Sequence, residues 1–176
     1  MTNSVPKKII FFLVRFFVFA PVTLVIWWYS IPIYASTLGF LCVVMLRYLF
    51  WLPATGFQVN ASGILNTGTL LELVVNDHRY PLPIAQLTTN IAPFVALMLA
   101  SFKKTEKAWI RHLGWGIAVL VVSHLIYIVL AFQFRHTISL YPDIPTIVAE
   151  IFLTLPFLLW VLGKIAEKKV CGPYSE

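Results

Sequence analysis

Charged residues are scarce in this chain. Only 11% of its 176 residues are Asp, Glu, Lys or Arg, and 60% are hydrophobic, whereas a soluble domain is about a quarter charged. This composition excludes an ordinary soluble domain. It also excludes a disordered chain, which contains too few hydrophobic residues to form a core. The composition is typical of an integral membrane protein.

Cysteines and motifs of known catalytic chemistry are also few. The two cysteines are Cys42, in an apolar run, and Cys171, in a polar tail, so neither a disulfide framework nor a cysteine-rich metal site is predicted. The sequence has no P-loop, GxGxxG, GxSxG, HExxH or CxxC pattern. No pair of haem ligands is evident. We therefore expect a protein that is not an enzyme and that has no metal and no cofactor of its own.

Lysine placement predicts the topology. Five apolar segments approach the roughly 20 residues that a spanning helix needs, namely residues 9–29, 31–52, 82–102, 114–134 and 145–163. All eight lysines fall in three clusters outside these segments, at positions 7–8, 103–107 and 164–169. Lys and Arg in short loops remain cytoplasmic. The chain should therefore cross the membrane an even number of times between successive clusters.

One of the five segments is then predicted not to cross. We choose residues 31–52, because this segment contains Arg47 and is bounded by Pro32 and Pro53, and we expect an interfacial or re-entrant helix on the outer side. A fifth crossing is the alternative, and it would place one lysine cluster outside. The cytoplasmic parts are then residues 1–8, 103–113 and 164–176, and residues 135–144 form an outer loop. We expect a multi-pass protein of a bacterial inner membrane with both termini cytoplasmic.

Residues 54–81 differ from the rest of the chain because they are rich in glycine and asparagine. Asn66-Thr67-Gly68 and Asn76-Asp77-His78 are typical of turns, which predicts a small β-hairpin or three-stranded meander on the outer face. The predicted fold is thus an all-α integral membrane protein with about four transmembrane helices, an outer interfacial helix and this small β element. Its apolar face must rest on residues 31–52, on the bilayer surface or on a partner, because so few residues cannot form their own core. Its open edges can accept a strand from another chain, which favours binding of a partner. The candidate partner-binding residues are Phe57, Val59, Leu71, Leu73 and Val75.

Two further groups of polar residues are candidate sites. His124 lies near the middle of the fourth apolar segment, and Glu150 lies at a similar predicted depth in the fifth. As a functional site this pair would couple to protons or bind a ligand. The interpretation that we favour is structural, in which the pair forms a hydrogen bond between helices. The candidate contacts to anionic lipid are Lys103, Lys104, Lys107 and Arg111.

The order of parts resembles the exosortase H-associated membrane proteins. The resemblance rests on Trp27-Trp28-Tyr29 at the end of the first helix, on a β-like segment before Pro81-Leu82-Pro83, and on the last helix with Leu155-Pro156-Phe157. It implies an accessory protein of a membrane transpeptidase that sorts anchored proteins. The Cys, Arg and His pattern of the transpeptidases themselves is not found around Cys42. The resemblance therefore transfers no catalytic residue.

These observations predict a non-catalytic membrane accessory subunit. Its expected partners are other integral membrane proteins, in a hetero-complex for which the resemblance implies a role in exosortase-type sorting, together with phospholipid but not nucleic acid. One alternative is a small transporter or membrane enzyme that uses His124 and Glu150. Another is an accessory subunit of a membrane redox or oxidase complex.

Overall fold

The computed structural model describes residues 4–102, 108–133 and 144–170. This part of the chain is mostly helical and contains one small three-stranded sheet. The helices are α1 (Ser4–Tyr48), α2 (Ile84–Thr88), α3 (Ile91–Ala100), α4 (Ala108–Gln133) and α5 (Ile144–Val170). The strands are β1 (Ala54–Asn60), β2 (Leu70–Val75) and β3 (His78–Leu82), and a short 3₁₀ helix covers Ile64–Asn66.

Two helices are long and apolar enough to cross a membrane, judged by length and composition. They are Ile9–Tyr48 within α1 and Trp109–Gln133 within α4. The apolar stretches Ile84–Ala100 and Thr154–Ile165 are shorter. The predicted spanning segment 114–134 thus corresponds to a helix that begins earlier, at Ala108. The last helix runs past the predicted boundary at residue 163 to Val170. The predicted outer loop 135–144 lies almost entirely outside the described residues.

The first helix is one continuous element, where the sequence predicts two. α1 has 45 residues, about 67 Å at roughly 1.5 Å per residue, and it continues through Pro32. Proline removes the hydrogen bond to the carbonyl four residues earlier, here that of Trp28. The Asn66 side chain supplies the missing donor, with Nδ2 to Trp28 O at 3.3 Å. The predicted break at residue 30 was wrong because a distant asparagine compensates for the proline.

The predicted meander between residues 54 and 81 is confirmed. The three strands are antiparallel in the order β1-β2-β3, and Val75 pairs with His78. Asn76 and Asp77 form the two-residue turn between β2 and β3, both with positive φ (52° and 62°). Paired left-handed residues define the type I′ hairpin turn, which asparagine and aspartate tolerate.

The sheet packs on the second half of α1, as expected for a β element too small to have its own core. The α1 side of this core consists of Ile31, Ala35, Leu38, Cys42 and Leu46, all buried. Gly39 allows the sheet to approach α1 closely, since a Cβ at this position would lie 2.5 Å from Phe57 Cδ2 and 2.8 Å from Leu71 Cδ1. The sheet and residues 31–48 therefore form one structural unit.

The predicted helix 82–102 is interrupted. Leu82 ends β3, and the chain then forms the short helices α2 and α3 with a break at Thr89 and Asn90. Pro93 explains the break, because it cannot donate to the Thr89 carbonyl and its ring crowds that carbonyl. The Ala92 amide donates to the Thr89 carbonyl instead, with 3.2 Å between the nitrogen and the oxygen. Asn90 is thereby placed at a bend between two helices.

A second core joins α3, α4 and α5. Phe94 is 1% exposed and lies over Gly116, where a Cβ would be 2.0 Å from Phe94 Cζ. Trp160 Nε1 donates to Ser101 Oγ at 3.2 Å, and Trp109 Nε1 donates to the Met98 carbonyl at 2.7 Å. These contacts bring together the end of α3, the start of α4 and the C-terminal part of α5.

Candidate functional site

A chain of hydrogen bonds between polar side chains crosses the interior of the bundle at His124. This side chain is fully buried, and both of its ring nitrogens have partners. Tyr34 Oη lies 2.8 Å from Nδ1, and Asn90 Oδ1 lies 3.0 Å from Nε2. Asn90 Nδ2 lies 3.2 Å from the Phe152 carbonyl oxygen. These three hydrogen bonds therefore connect α1, the α2–α3 bend, α4 and α5.

The direction of each hydrogen bond follows from the last acceptor. The Phe152 carbonyl can only accept, so Asn90 donates to it through Nδ2 and presents Oδ1 to His124. His124 must then carry a proton on Nε2. Because a buried charge without an ionic partner is costly, the imidazole is neutral, and its Nδ1 accepts from the Tyr34 hydroxyl. The tautomer is thereby fixed, and the donors all point from Tyr34 towards Phe152.

The Phe152 carbonyl is available because of Pro156. In an uninterrupted helix this carbonyl would accept the amide of residue 156, but proline has no amide hydrogen. Asn90 fills this role from another helix, just as Asn66 does for the Trp28 carbonyl before Pro32. The chain thus uses an asparagine twice to satisfy a carbonyl that a proline leaves open.

This arrangement fits a structural role better than proton transfer. Its four groups are neutral, and its last acceptor is a backbone carbonyl, which cannot pass a proton on. Aromatic rings surround the imidazole, with Phe152 stacked at 5.6 Å between centroids and Tyr34 edge-on at 6.0 Å. The chemistry available here is directed hydrogen bonding between helices.

The predicted partner of His124 was Glu150. The backbone of Glu150 belongs to α5, but its side chain lies outside the described residues, so the predicted pair stays a prediction. Sequence reasoning identified neither Asn90 nor Tyr34 as a candidate site residue. A usable signal was present in Pro156, which requires a donor for the Phe152 carbonyl.

The five predicted partner-binding residues lie on the inner side of the sheet. Leu71, Leu73 and Val75 are at most 2% exposed, and Phe57 and Val59 pack against the same core. Leu71, Leu73 and Val75 are therefore covered by α1, whereas Phe57 and Val59 are half-buried. Of the three supports expected for the apolar side of the sheet, the structure has residues 31–48 of α1. Binding of a partner by these five residues stays a prediction.

The outer side of the sheet is polar. Glu72 occupies its centre, where Asn60 Nδ2 donates to Oε1 at 2.7 Å and Arg79 Nη1 lies 3.7 Å from Oε2. Arg79 also donates to Gln58 Oε1 at 3.3 Å. Cross-strand polar pairs of this kind are typical of a sheet surface in contact with water.

An exposed apolar stripe runs along the second half of α1, on the side opposite the sheet. Ile33 is 74% exposed, Phe40 61% and Tyr48 71%, and Val44 is also exposed. Their spacing of four to seven residues places them on one helical face, on which the exposed Thr37 also lies, between Ile33 and Phe40. We refer to Ile33, Phe40, Val44 and Tyr48 as the α1 stripe.

The described residues next to the lysine clusters meet at one end of the bundle. Arg15 Nη1 donates to the Phe102 carbonyl at 3.2 Å, and the Phe12 ring stacks on Trp160 at 5.4 Å between centroids. Arg111, a candidate lipid contact, is exposed near the start of α4. The other candidates, Lys103, Lys104 and Lys107, lie outside the described residues.

No family model matches the chain, and no curated protein or solved structure matches it. The resemblance to the exosortase H-associated proteins therefore stays a prediction.

Proposed function

We propose that this chain is a non-catalytic subunit of a membrane complex and that the α1 stripe binds another helical membrane protein. The observation that carries the proposal is the α1 stripe itself, which extends over about four helical turns and has no intramolecular cover among the described residues. Single exposed apolar residues are ordinary, but several large ones that share one helical face favour an interaction surface.

The position of the sheet supports a placement in which only the first half of α1 lies in lipid. Open strand edges do not occur in the hydrocarbon of a bilayer, because their amides and carbonyls would lack partners. The second half of α1, which carries the sheet, therefore belongs outside the hydrocarbon. The preceding residues 9–28 are about 30 Å long at roughly 1.5 Å per residue, which equals the usual hydrocarbon thickness.

The basic residues supply the orientation in this proposal. Lys7 and Lys8 precede the spanning part of α1, and the other two lysine clusters adjoin Phe102 and Trp160 in sequence. The Arg15–Phe102 and Phe12–Trp160 contacts support a common side for all three clusters. Lys and Arg favour the cytoplasmic side, so both termini are cytoplasmic and the sheet is outside. The remaining crossings are α4, α5 and the pair α2–α3.

This placement accounts for the need for a partner. On the spanning part of α1, exposed residues such as Val22 and Ile26 (52% and 60% exposed) are covered by lipid. The α1 stripe continues the same helical face above the bilayer, where water would contact it. A partner helix that crosses the membrane and continues outward would cover both parts. An exosortase-type transpeptidase or a redox complex are the partner classes that the sequence suggests.

A photo-crosslinking experiment tests this proposal. We replace Phe40 by a photoreactive phenylalanine analogue in cells and irradiate native membranes, with the same analogue at Gln58, on the polar side of the sheet, as the control. Position 40 should give a protein adduct with a mass other than twice that of the chain, and position 58 should give none. Adducts to lipid alone, or to a second copy of the chain, would contradict a hetero-complex.

A substitution provides the second measurement. Because Phe40 is exposed, Phe40→Glu should leave the fold intact and reduce the partner recovered in mild detergent by at least about tenfold, which corresponds to roughly 1.4 kcal/mol. Gln58→Glu should leave recovery unchanged. Equal recovery with both variants would reject the α1 stripe as the binding surface.

A further inference from the structure

The loop between β1 and β2 holds a large apolar side chain away from the rest of the protein. The loop covers residues 61–69, and Ile64, at the start of its short 3₁₀ helix, is 85% exposed. A single exposed apolar residue is ordinary by itself. The conformation and the position of the loop therefore matter more than the exposure of Ile64 alone.

The backbone of the loop is strained and firmly held. Leu65 and Asn66 have left-handed φ angles of 54° and 62°, a conformation that is costly for leucine because its Cβ crowds a carbonyl oxygen. Two hydrogen bonds close the loop, from Gly68 N to Ser62 O at 2.9 Å and from Ser62 Oγ to Gly68 O at 2.6 Å. Strained conformations persist only where the surroundings enforce them, and they are concentrated at functional sites. The loop therefore presents Ile64 in one fixed arrangement.

The loop lies beside the end of the spanning part of α1. β1 begins beyond the far end of α1 and runs back along it, so that Phe57 packs against Gly39. The loop continues in this direction as far as Trp28, whose carbonyl accepts from Asn66 Nδ2 at 3.3 Å. Trp28 is the last residue of the segment 9–28 that the placement given above assigns to lipid. In this placement the loop is therefore at the level of the membrane surface.

A second contact supports the same level. The Ala85 amide donates to the Thr69 carbonyl at 3.4 Å, and Ala85 belongs to α2, through which the chain returns from the sheet to α3. Beside the loop, α1 contains Trp28 and the exposed Tyr29, residue types that are enriched at membrane–water interfaces. The loop therefore lies close to the boundary between lipid and water.

Charge is distributed unevenly along the sheet. Residues 54–71 contain no Asp, Glu, Lys or Arg, so the loop is neutral. The charged side chains are Glu72, in the centre of the sheet, and Asp77 and Arg79, in or beside the turn at its other end. A neutral loop with an exposed isoleucine suits a bilayer surface, because an apolar side chain gains free energy when it leaves water, whereas a charged one loses its hydration.

We propose that Ile64 inserts into the outer surface of the bilayer and that the loop 61–69 is a membrane contact of the sheet. This insertion gives the sheet a point of attachment to lipid in addition to α1. The proposal rests on the membrane placement given above but not on the partner of the α1 stripe.

Photo-crosslinking of the purified full chain in vesicles of phosphatidylethanolamine and phosphatidylglycerol tests this contact. A photoreactive phenylalanine analogue replaces Ile64 in one variant and Trp51 in a matched control. Trp51 is equally exposed, at 87%, but follows the far end of α1. After irradiation, mass spectrometry should detect phospholipid adducts at position 64 and at least about tenfold fewer at position 51.

The same analogue at Val22 separates two causes of failure. Val22 belongs to the spanning part of α1 and should also form lipid adducts. Adducts at position 22, with as few at position 64 as at position 51, would overturn the insertion of Ile64 and leave the placement of α1 intact. An absence of lipid adducts at position 22 would overturn both. Adducts at position 64 to a second copy of the chain, without lipid adducts, would also contradict the proposal.

A smaller probe covers the case in which the analogue disturbs the loop. Ile64→Cys and Trp51→Cys are made separately in a background with Cys42→Ala and Cys171→Ser, and their reaction with a charged, membrane-impermeant thiol reagent is followed in the same vesicles. An apolar environment disfavours the thiolate, so the thiol at position 64 should react at least about tenfold more slowly than that at position 51. Equal rates would contradict insertion, because the protein itself leaves position 64 exposed.

Discussion

Replacement of Asn90 by leucine should strongly destabilise the bundle. Leucine has a similar size but removes two hydrogen bonds at once, which leaves the Phe152 carbonyl and the His124 Nε2 hydrogen without partners. Each buried polar group left unsatisfied costs about 1–3 kcal/mol. We expect the free energy of unfolding to fall by roughly 2–4 kcal/mol, measured by titration of the detergent-solubilised protein with sodium dodecyl sulfate and followed by circular dichroism.

Pro156 provides the matched control for this prediction. In Pro156→Ala the alanine amide can donate to the Phe152 carbonyl within α5, so this carbonyl no longer depends on Asn90. Asn90→Leu should therefore cost about 1–2 kcal/mol less in the Pro156→Ala background than in the wild type. An equal cost in both backgrounds would show that the carbonyl is not what Asn90 stabilises.

The same variants separate the structural interpretation of His124 from the transport hypothesis. If His124 serves only to connect helices, the double variant should regain stability and assembly together. A transporter or membrane enzyme that used His124 would instead lose its activity in variants that retain assembly. Measuring both quantities on one set of variants distinguishes these two outcomes.

Local sequence signals predicted the features of this fold that depend on neighbouring residues. Asn76 and Asp77 both tolerate the left-handed backbone of a two-residue turn, so the β2–β3 hairpin could be predicted from them. The shortage of residues in the β segment predicted that its apolar side must rest on another surface, which could be residues 31–52, the bilayer or a partner. Both are consequences of short-range geometry and of the size of a stable sheet.

The features that could not be predicted depend on contacts between distant residues. Pro32 was expected to bound the segment 31–52, but Asn66, in the short 3₁₀ helix after β1, provides the donor that Pro32 lacks. Asn90 likewise satisfies a carbonyl 62 positions away in α5. Local periodicity contains no information on which polar side chain will reach such a carbonyl. The same limitation explains why the sequence alone could not decide whether α1, the bilayer or a partner covers the apolar side of the sheet.

Alanine at two glycines of α4 should change stability in opposite directions. At Gly116 a Cβ would lie within 2.0–2.9 Å of three atoms of the Phe94 ring, and this ring is too buried to move away freely. Overpacking of this kind costs about 1–3 kcal/mol. At Gly114 the added Cβ contacts nothing, and alanine in an exposed helical position is more stable than glycine by about 0.5–1 kcal/mol. Titration with sodium dodecyl sulfate measures both changes.

Phe94→Leu tests the cause of the loss at Gly116. The smaller side chain removes the ring atoms that a Cβ at position 116 would meet, so Gly116→Ala should cost less in the Phe94→Leu background than in the wild type. A loss of the same size in both backgrounds would place the strain in the α4 backbone and not in its contact with α3. A loss at Gly114 as large as that at Gly116 would likewise contradict close packing of Phe94 as the reason for a glycine at position 116.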